Sequence, residues 1–175
     1  MKKLIATAIV TGLLVLGGAS AVQAAPAAPM GLCPGGRVVY KSTVSTPVFK
    51  EATGAQSSVT GSSGVTLTIS RSTTFTVTGS QTLTAGISGS VIVATVKLDQ
   101  GITLGMSFSG TSTSSGSWKV PASYNTGKLS IGSLKYSGTV KKYIENTACT
   151  LVPQSGVATF NQPEKAWSFK HFKIN

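Results

Sequence analysis

The sequence predicts an all-β fold: an elongated antiparallel sheet or sandwich carrying a long Ser/Thr-rich amphipathic hairpin. Three observations predict it. Between Val65 and Pro121, apolar residues alternate with Thr, Ser and Gly, and a period of two marks strands with one apolar and one polar face. Only Arg71, Lys97, Asp99 and Lys119 carry charge in that stretch. Thr, Ser, Gly and Val dominate where a helix would need Ala, Leu, Glu and Lys, so no amphipathic helix is expected.

The elements follow in order. Met1-Lys2-Lys3 is a basic start, Leu4 to Leu16 an apolar core, and Val22-Gln23-Ala24 a small-residue cleavage site. Residues 1–24 therefore read as a secretory signal peptide, and the chain is expected to be secreted. Residues 25–36 (APAAPMGLCPGG) read as an extended segment rich in Ala, Pro and Gly. Residues 37–175 are expected to form a single all-β domain, since 151 residues follow Ala24 and suffice for one core. Within it, Arg37–Tyr40 opens the first strand, and Pro47 places the next at an edge. Val65–Thr78 alternates throughout, with Arg71 interrupting its apolar side, and Gly79-Ser80 reads as a turn. Later strands are expected at Leu129–Ile131, Leu134–Tyr136, Val140–Ile144, Ala148–Val152, Val157–Phe160 and Trp167–Ile174, with a bulge at Gly132.

The hairpin is the sharpest local prediction. Asp99-Gln100-Gly101 has the length and the glycine of a three-residue hairpin loop. It would set Leu98 opposite Ile102, Val96 opposite Leu104, Ala94 opposite Met106 and Ile92 opposite Phe108, all eight on one face. Two readings follow. In one, this face packs on a second sheet. In the other, it is a membrane-insertion face, since a spanning strand needs about 9–11 alternating residues.

Cys33 and Cys149 are the two cysteines, and export makes a disulfide between them the expected state. Thirteen basic and four acidic residues follow the leader, a net charge of +9. That charge favours an anionic membrane or cell-envelope surface, or an acidic secreted protein partner. Export disfavours nucleic acid. His171 is the one histidine and Asp99 the one aspartate, too few titratable groups for a catalytic signature. The chain therefore reads as non-enzymatic, with neither metal nor cofactor expected. In the later half, lysines interleave with aromatics. Lys141, Lys142, Trp167, Lys170 and Lys173 are the candidate basic–aromatic surface; in the other reading the aromatics are core and the lysines merely solvated.

The succession TFTVTG, GSVIVATVKLDQGITLGMSFSG, TSTSSGSWKVPA and NTGKLSIG, over roughly Val65 to Tyr143, resembles the insertion module of aerolysin-type β-pore-forming proteins. That group includes the epsilon-toxin and mosquitocidal-toxin proteins. The succession is also similar to small secreted β-proteins of Gram-positive, especially actinobacterial, bacteria. The resemblance implies an amphipathic hairpin that unfolds and joins an oligomeric barrel on a membrane. Carried onto this chain, the inserting face would be Ile92, Ala94, Val96, Leu98, Ile102, Leu104, Met106 and Phe108. The alternative expectation is a binding module, an adaptor of an extracellular toxin complex or an inhibitor, with no membrane activity.

Overall fold

The computed structural model describes residues 33–70, 73–112 and 114–174. The expected signal peptide and most of the extended segment 25–36 lie outside the described residues. What is described is mostly strand, in antiparallel sheets, with one α-helix.

The spine is β9, Thr126–Glu145, a single strand of 20 residues. At about 3.3 Å per residue it runs roughly 65 Å. The sequence breaks this stretch into three pieces around Gly132. The chain instead runs straight on, because Gly132 lets a neighbouring strand come close: a Cβ there would run into the Lys50 carbonyl oxygen. Other strands dock along both edges of the spine, all antiparallel. One edge takes β3 (Ser58–Ser62), β2 (Val48–Glu51) and β1 (Val38–Val44) in turn. The other takes β11 (Ser168–Ile174) and then β10 (Leu151–Pro163), which shifts register between Pro153 and Val157. A short strand, β6 (Ser80–Thr82), extends the sheet beyond β10.

Two smaller sheets accompany this one: β4 (Thr66–Ile69) with β8 (Gly116–Lys119), and β5 (Thr74–Thr78) with β7 (Ser107–Thr111). Burial follows their alternation. Leu67, Ile69, Phe75 and Val77 turn inward onto Ala52, Val120, Leu129 and Ile131, while Thr66, Thr68, Thr74 and Thr78 stay exposed. A second core gathers Ile87, Ile92, Val96 and Leu104 on Val140, Ala158 and Phe160. Along β9, then, Gly127 and residues 129–133 are buried near its start, on both sides of the strand, and Val140 alone near its end. Since neighbouring side chains leave a strand on opposite sides, the end around Val140 keeps one open face. Cys33 and Cys149 form the expected disulfide, Cα atoms 5.2 Å apart. It pins the segment before β1 to the β9–β10 turn, beside the bond from Gly36 N–H to Glu145 O.

The main correction falls on the predicted hairpin. Gly89–Gln100 is an α-helix, α1. Ser88 caps its start, its side chain accepting from Val91 N–H, and Gly101 caps its end in the left-handed region at φ 72°. Ile92, Thr95 and Val96 are buried at helical spacing. Val91, Ile92, Val93 and Val96 favour strands by propensity, but propensity is a weak prior and burial of one helical face outweighs it. Asp99 and Gln100 thus close the last helical turn rather than a hairpin loop.

Candidate functional site: an amphipathic ribbon and its tethered insert

The two small sheets share one register. Thr66 faces Lys119 and Ile69 faces Gly116; then Thr74 faces Thr111 and Thr78 faces Ser107. Four positions, 70–73 and 112–115, separate the two ladders on either side. The equal gaps keep the pairing in step, so β4–β8 and β5–β7 are two lengths of one antiparallel ribbon. Gly79 N–H carries the register one step further by donating to Met106 O at 2.7 Å. The paired lengths fall within positions 66–78 and 107–119.

Each of the two paired lengths is amphipathic. Leu67 pairs with Trp118 and Val77 with Phe108 on the inner side. On the outer side Thr68 pairs with Ser117, Thr76 with Ser109 and Thr78 with Ser107, and Thr76 and Ser109 also join their hydroxyls at 2.8 Å. Aromatic contacts fasten the inner side. Trp167 lies on Phe108 with centroids 4.3 Å apart and meets Phe75 edge-on at 5.9 Å. Trp118 stacks on His171 at 4.9 Å and meets Tyr124 at 6.0 Å.

Between the arms lie β6, α1 and residues 102–106. Polar contacts hold this insert to the large sheet. Asp99 Oδ2 accepts from Ser42 N–H at 2.8 Å and from Ser42 Oγ–H at 2.7 Å, which covers an outward amide of β1, an exposed sheet edge. Gln162 Nε2 donates to Gln81 Oε1 at 2.7 Å and to Met106 Sδ at 3.4 Å. Gln162 is fully buried, and its Oε1 has no hydrogen-bond partner. Gly105 N–H donates to Pro163 O, and Lys165 N–H to Thr103 O.

The eight residues of the expected insertion face are not brought together. Ile92 and Val96 are buried on α1, Ala94 is exposed, and Leu98 is 86 % exposed. Ile102 is half-buried and Leu104 buried in the second core. Met106 is exposed, and Phe108 lies in the ribbon. The partner expected for the second arm is not the one it takes. Its true partner is the earlier alternating stretch from Thr66 to Thr78, and the matching lengths of the two Ser/Thr runs were the available signal.

Nor do the basic–aromatic candidates form one surface. Lys141 and Lys142 are consecutive on β9 and leave it on opposite sides; Lys142 approaches Gly86. Trp167 serves the first core. Lys173 sits over Tyr124 at 5.7 Å. Lys170 sits between Phe49 and Phe172, 5.8 and 5.2 Å from their centroids. Beside that trio Lys128 Nζ meets Glu51 Oε2 at 2.7 Å. Burial pushes the Glu51 carboxyl up, but hydrogen bonds from Lys128 and Ser58 and the charge of Lys128 outweigh it, so its pKa lies below the ordinary value. Burial, and then the charge of Glu164, raise the Tyr136 phenol.

Among the described residues, no three His, Cys, Asp or Glu side chains gather as metal ligands, and no helix is long and apolar enough to cross a membrane. Compared with family models, curated proteins and solved structures, the chain matches none.

Proposed function

We propose that this chain is a secreted, non-enzymatic protein that acts on membranes, and that the ribbon, lengthened by its insert, is the element that enters the bilayer. One observation carries the reading: the ribbon's register, continued through the insert, sorts the side chains by polarity. Beyond Gly79 and Met106 it would set Leu83 opposite Ile102, Ile87 opposite Leu98, Gly89 opposite Val96 and Val91 opposite Ala94 on one side. The other side would carry Thr82 with Thr103, Thr84 with Gly101, Gly86 with Asp99, Ser88 with Lys97 and Ser90 with Thr95. Gln81 and Gln100 are the exceptions on the apolar side of the insert, and Arg71, Thr73, Ser112 and Ser114 have the same parity in the gaps between the two ladders. A spanning strand needs about 9–11 residues alternating between lipid and lumen, which either arm exceeds.

In this reading α1 is a stored form of the hairpin tip. Its attachments suit release: Asp99–Ser42 is solvent-exposed, and the Gln81–Gln162 contact leaves a buried carbonyl unsatisfied, which costs about 1–3 kcal/mol. A spanning hairpin must close its edges with neighbours, so the reading requires an oligomer.

The test is dye release from vesicles by the secreted chain, with a Ser42→Cys/Asp99→Cys pair to hold α1 on β1. The oxidised pair should release no dye, and reductant should restore release. Wild type under the same reductant controls for the Cys33–Cys149 bridge. Absence of release by wild type at every protein-to-lipid ratio, with a monomer throughout, would overturn the reading and leave the binding module.

A further inference from the structure

The open face at the far end of the spine is built as a grid. Across β1, β9 and β10 the rows run Val39–Tyr143–Pro153, Lys41–Lys141–Val157 and Thr43–Thr139–Thr159. The opposite side of these strands is buried through Val140, Ala158 and Phe160.

Lys41 and Lys141 are direct partners. Ser42 N–H points away from β9 to Asp99, and Ser45 N–H points toward it, to Ser137 O. The odd positions of β1 are therefore the hydrogen-bonded pairs, with Cα atoms about 5.5 Å apart. Like charges directly opposite one another destabilise a sheet. Among the described residues, neither lysine has a carboxylate within ion-pair reach. The nearest acid on that side of β9 is Glu145, about 13 Å along the strand. Lys41 Nζ lies 5.5 Å from the Tyr143 ring. In the next row the Thr43 and Thr139 hydroxyls meet at 2.7 Å. Val157, in line with the lysines, is 45 % exposed.

We infer that this grid is the docking face for an anionic phospholipid surface. A phosphodiester between Lys41 and Lys141 relieves their repulsion, and the threonine hydroxyls offer it hydrogen bonds. Tyr143 and Val157 supply the aromatic and apolar contacts found at a membrane interface. The exposed valine beside the charges is what favours a lipid surface over a soluble polyanion. The inference rests on the membrane reading and adds which face meets the lipid first.

The test is co-sedimentation with phosphatidylglycerol/phosphatidylcholine vesicles, with dye release on the same samples. Lys41→Gln/Lys141→Gln should bind about 30-fold more weakly, two charges being lost near the surface. Its unfolding midpoint should not fall, because a repulsion is removed. The charge-matched Lys170→Gln/Lys173→Gln, opposite Ser130 and Gly127 at roughly 36 and 46 Å along the spine from Lys141, should bind within about threefold of wild type, both lying several Debye lengths from the grid. Val157→Ser should weaken vesicle binding and leave binding to soluble polyphosphate unchanged. Equal losses from the two lysine pairs would overturn the inference, since net charge alone would then explain binding. So would polyphosphate binding as tight as vesicle binding, with Val157→Ser silent in both. Lys41/Lys141-dependent binding without dye release would instead uphold the docking face and overturn the insertion reading.

Discussion

One carboxylate oxygen of Asp99 takes both hydrogens that Ser42 has to offer, the amide at 2.8 Å and the hydroxyl at 2.7 Å. The end of α1 and the edge of β1 are thereby joined at one point, 57 residues apart in sequence. Asp99→Ala should lower stability by about 1.5 kcal/mol, the low end of the range for hydrogen bonds to charged groups because the contact is solvent-exposed. Urea unfolding measures the loss. Amide exchange at Ser42 should speed up more than exchange within β9, and dye release should become faster.

Gln81 and Gln162 make the opposite kind of contact, one that is incomplete where it is buried. Replacing both by apolar residues of similar shape removes an unsatisfied carbonyl and can stabilise. Gln81→Met/Gln162→Met should raise stability by about 1 kcal/mol and slow dye release. Faster release by a more stable double variant would show that this contact does not restrain the insert.

Glu51 gives a pH dependence of known sign. Its carboxyl titrates below the ordinary value in the folded chain, so its contribution is present above the unfolded pKa and is lost as pH falls through the folded one. Glu51→Gln should therefore destabilise at pH 7. The difference from wild type should shrink as the pH drops below about 4, and paired urea titrations would show it.

The disulfide ties residues 116 apart in sequence. In the chain-entropy model a loop of that size contributes roughly 4–5 kcal/mol. Cys33→Ala/Cys149→Ala should lower the unfolding midpoint accordingly. Release per folded molecule should not change, because the bridge joins the segment before β1 to the β9–β10 turn and is not part of the ribbon or its insert.

Much of this architecture is visible in the residues. The alternation of Leu67, Ile69, Phe75 and Val77 with threonines shows which side of the ribbon is buried. Cys33 and Cys149 pair as their number and expected compartment imply. What misled was Gly101. A residue in the left-handed region ends a helix as readily as it turns a three-residue hairpin, and the β-branched Val91, Ile92 and Val93 before it point to the hairpin. Ser88, a good N-cap, was the competing signal. Lys141 and Lys142 show a different gap: period two already places them on opposite sides of a strand, but which side is covered depends on α1, whose position no local pattern reveals. Of the two readings of Trp167, surface or core, no local pattern selects the core, because its partners, Phe75 and Phe108, lie at least 59 positions away.

The four-position gaps at 70–73 and 112–115 make the ribbon's two arms hostage to each other's length. Deleting one residue from either gap would slip every pair on one side of it and turn threonines toward the core. Deleting one from both would restore the match. Indels here should therefore be tolerated only in compensating couples, so a second-site suppressor of a deletion in one gap should map to the other, about 40 codons away.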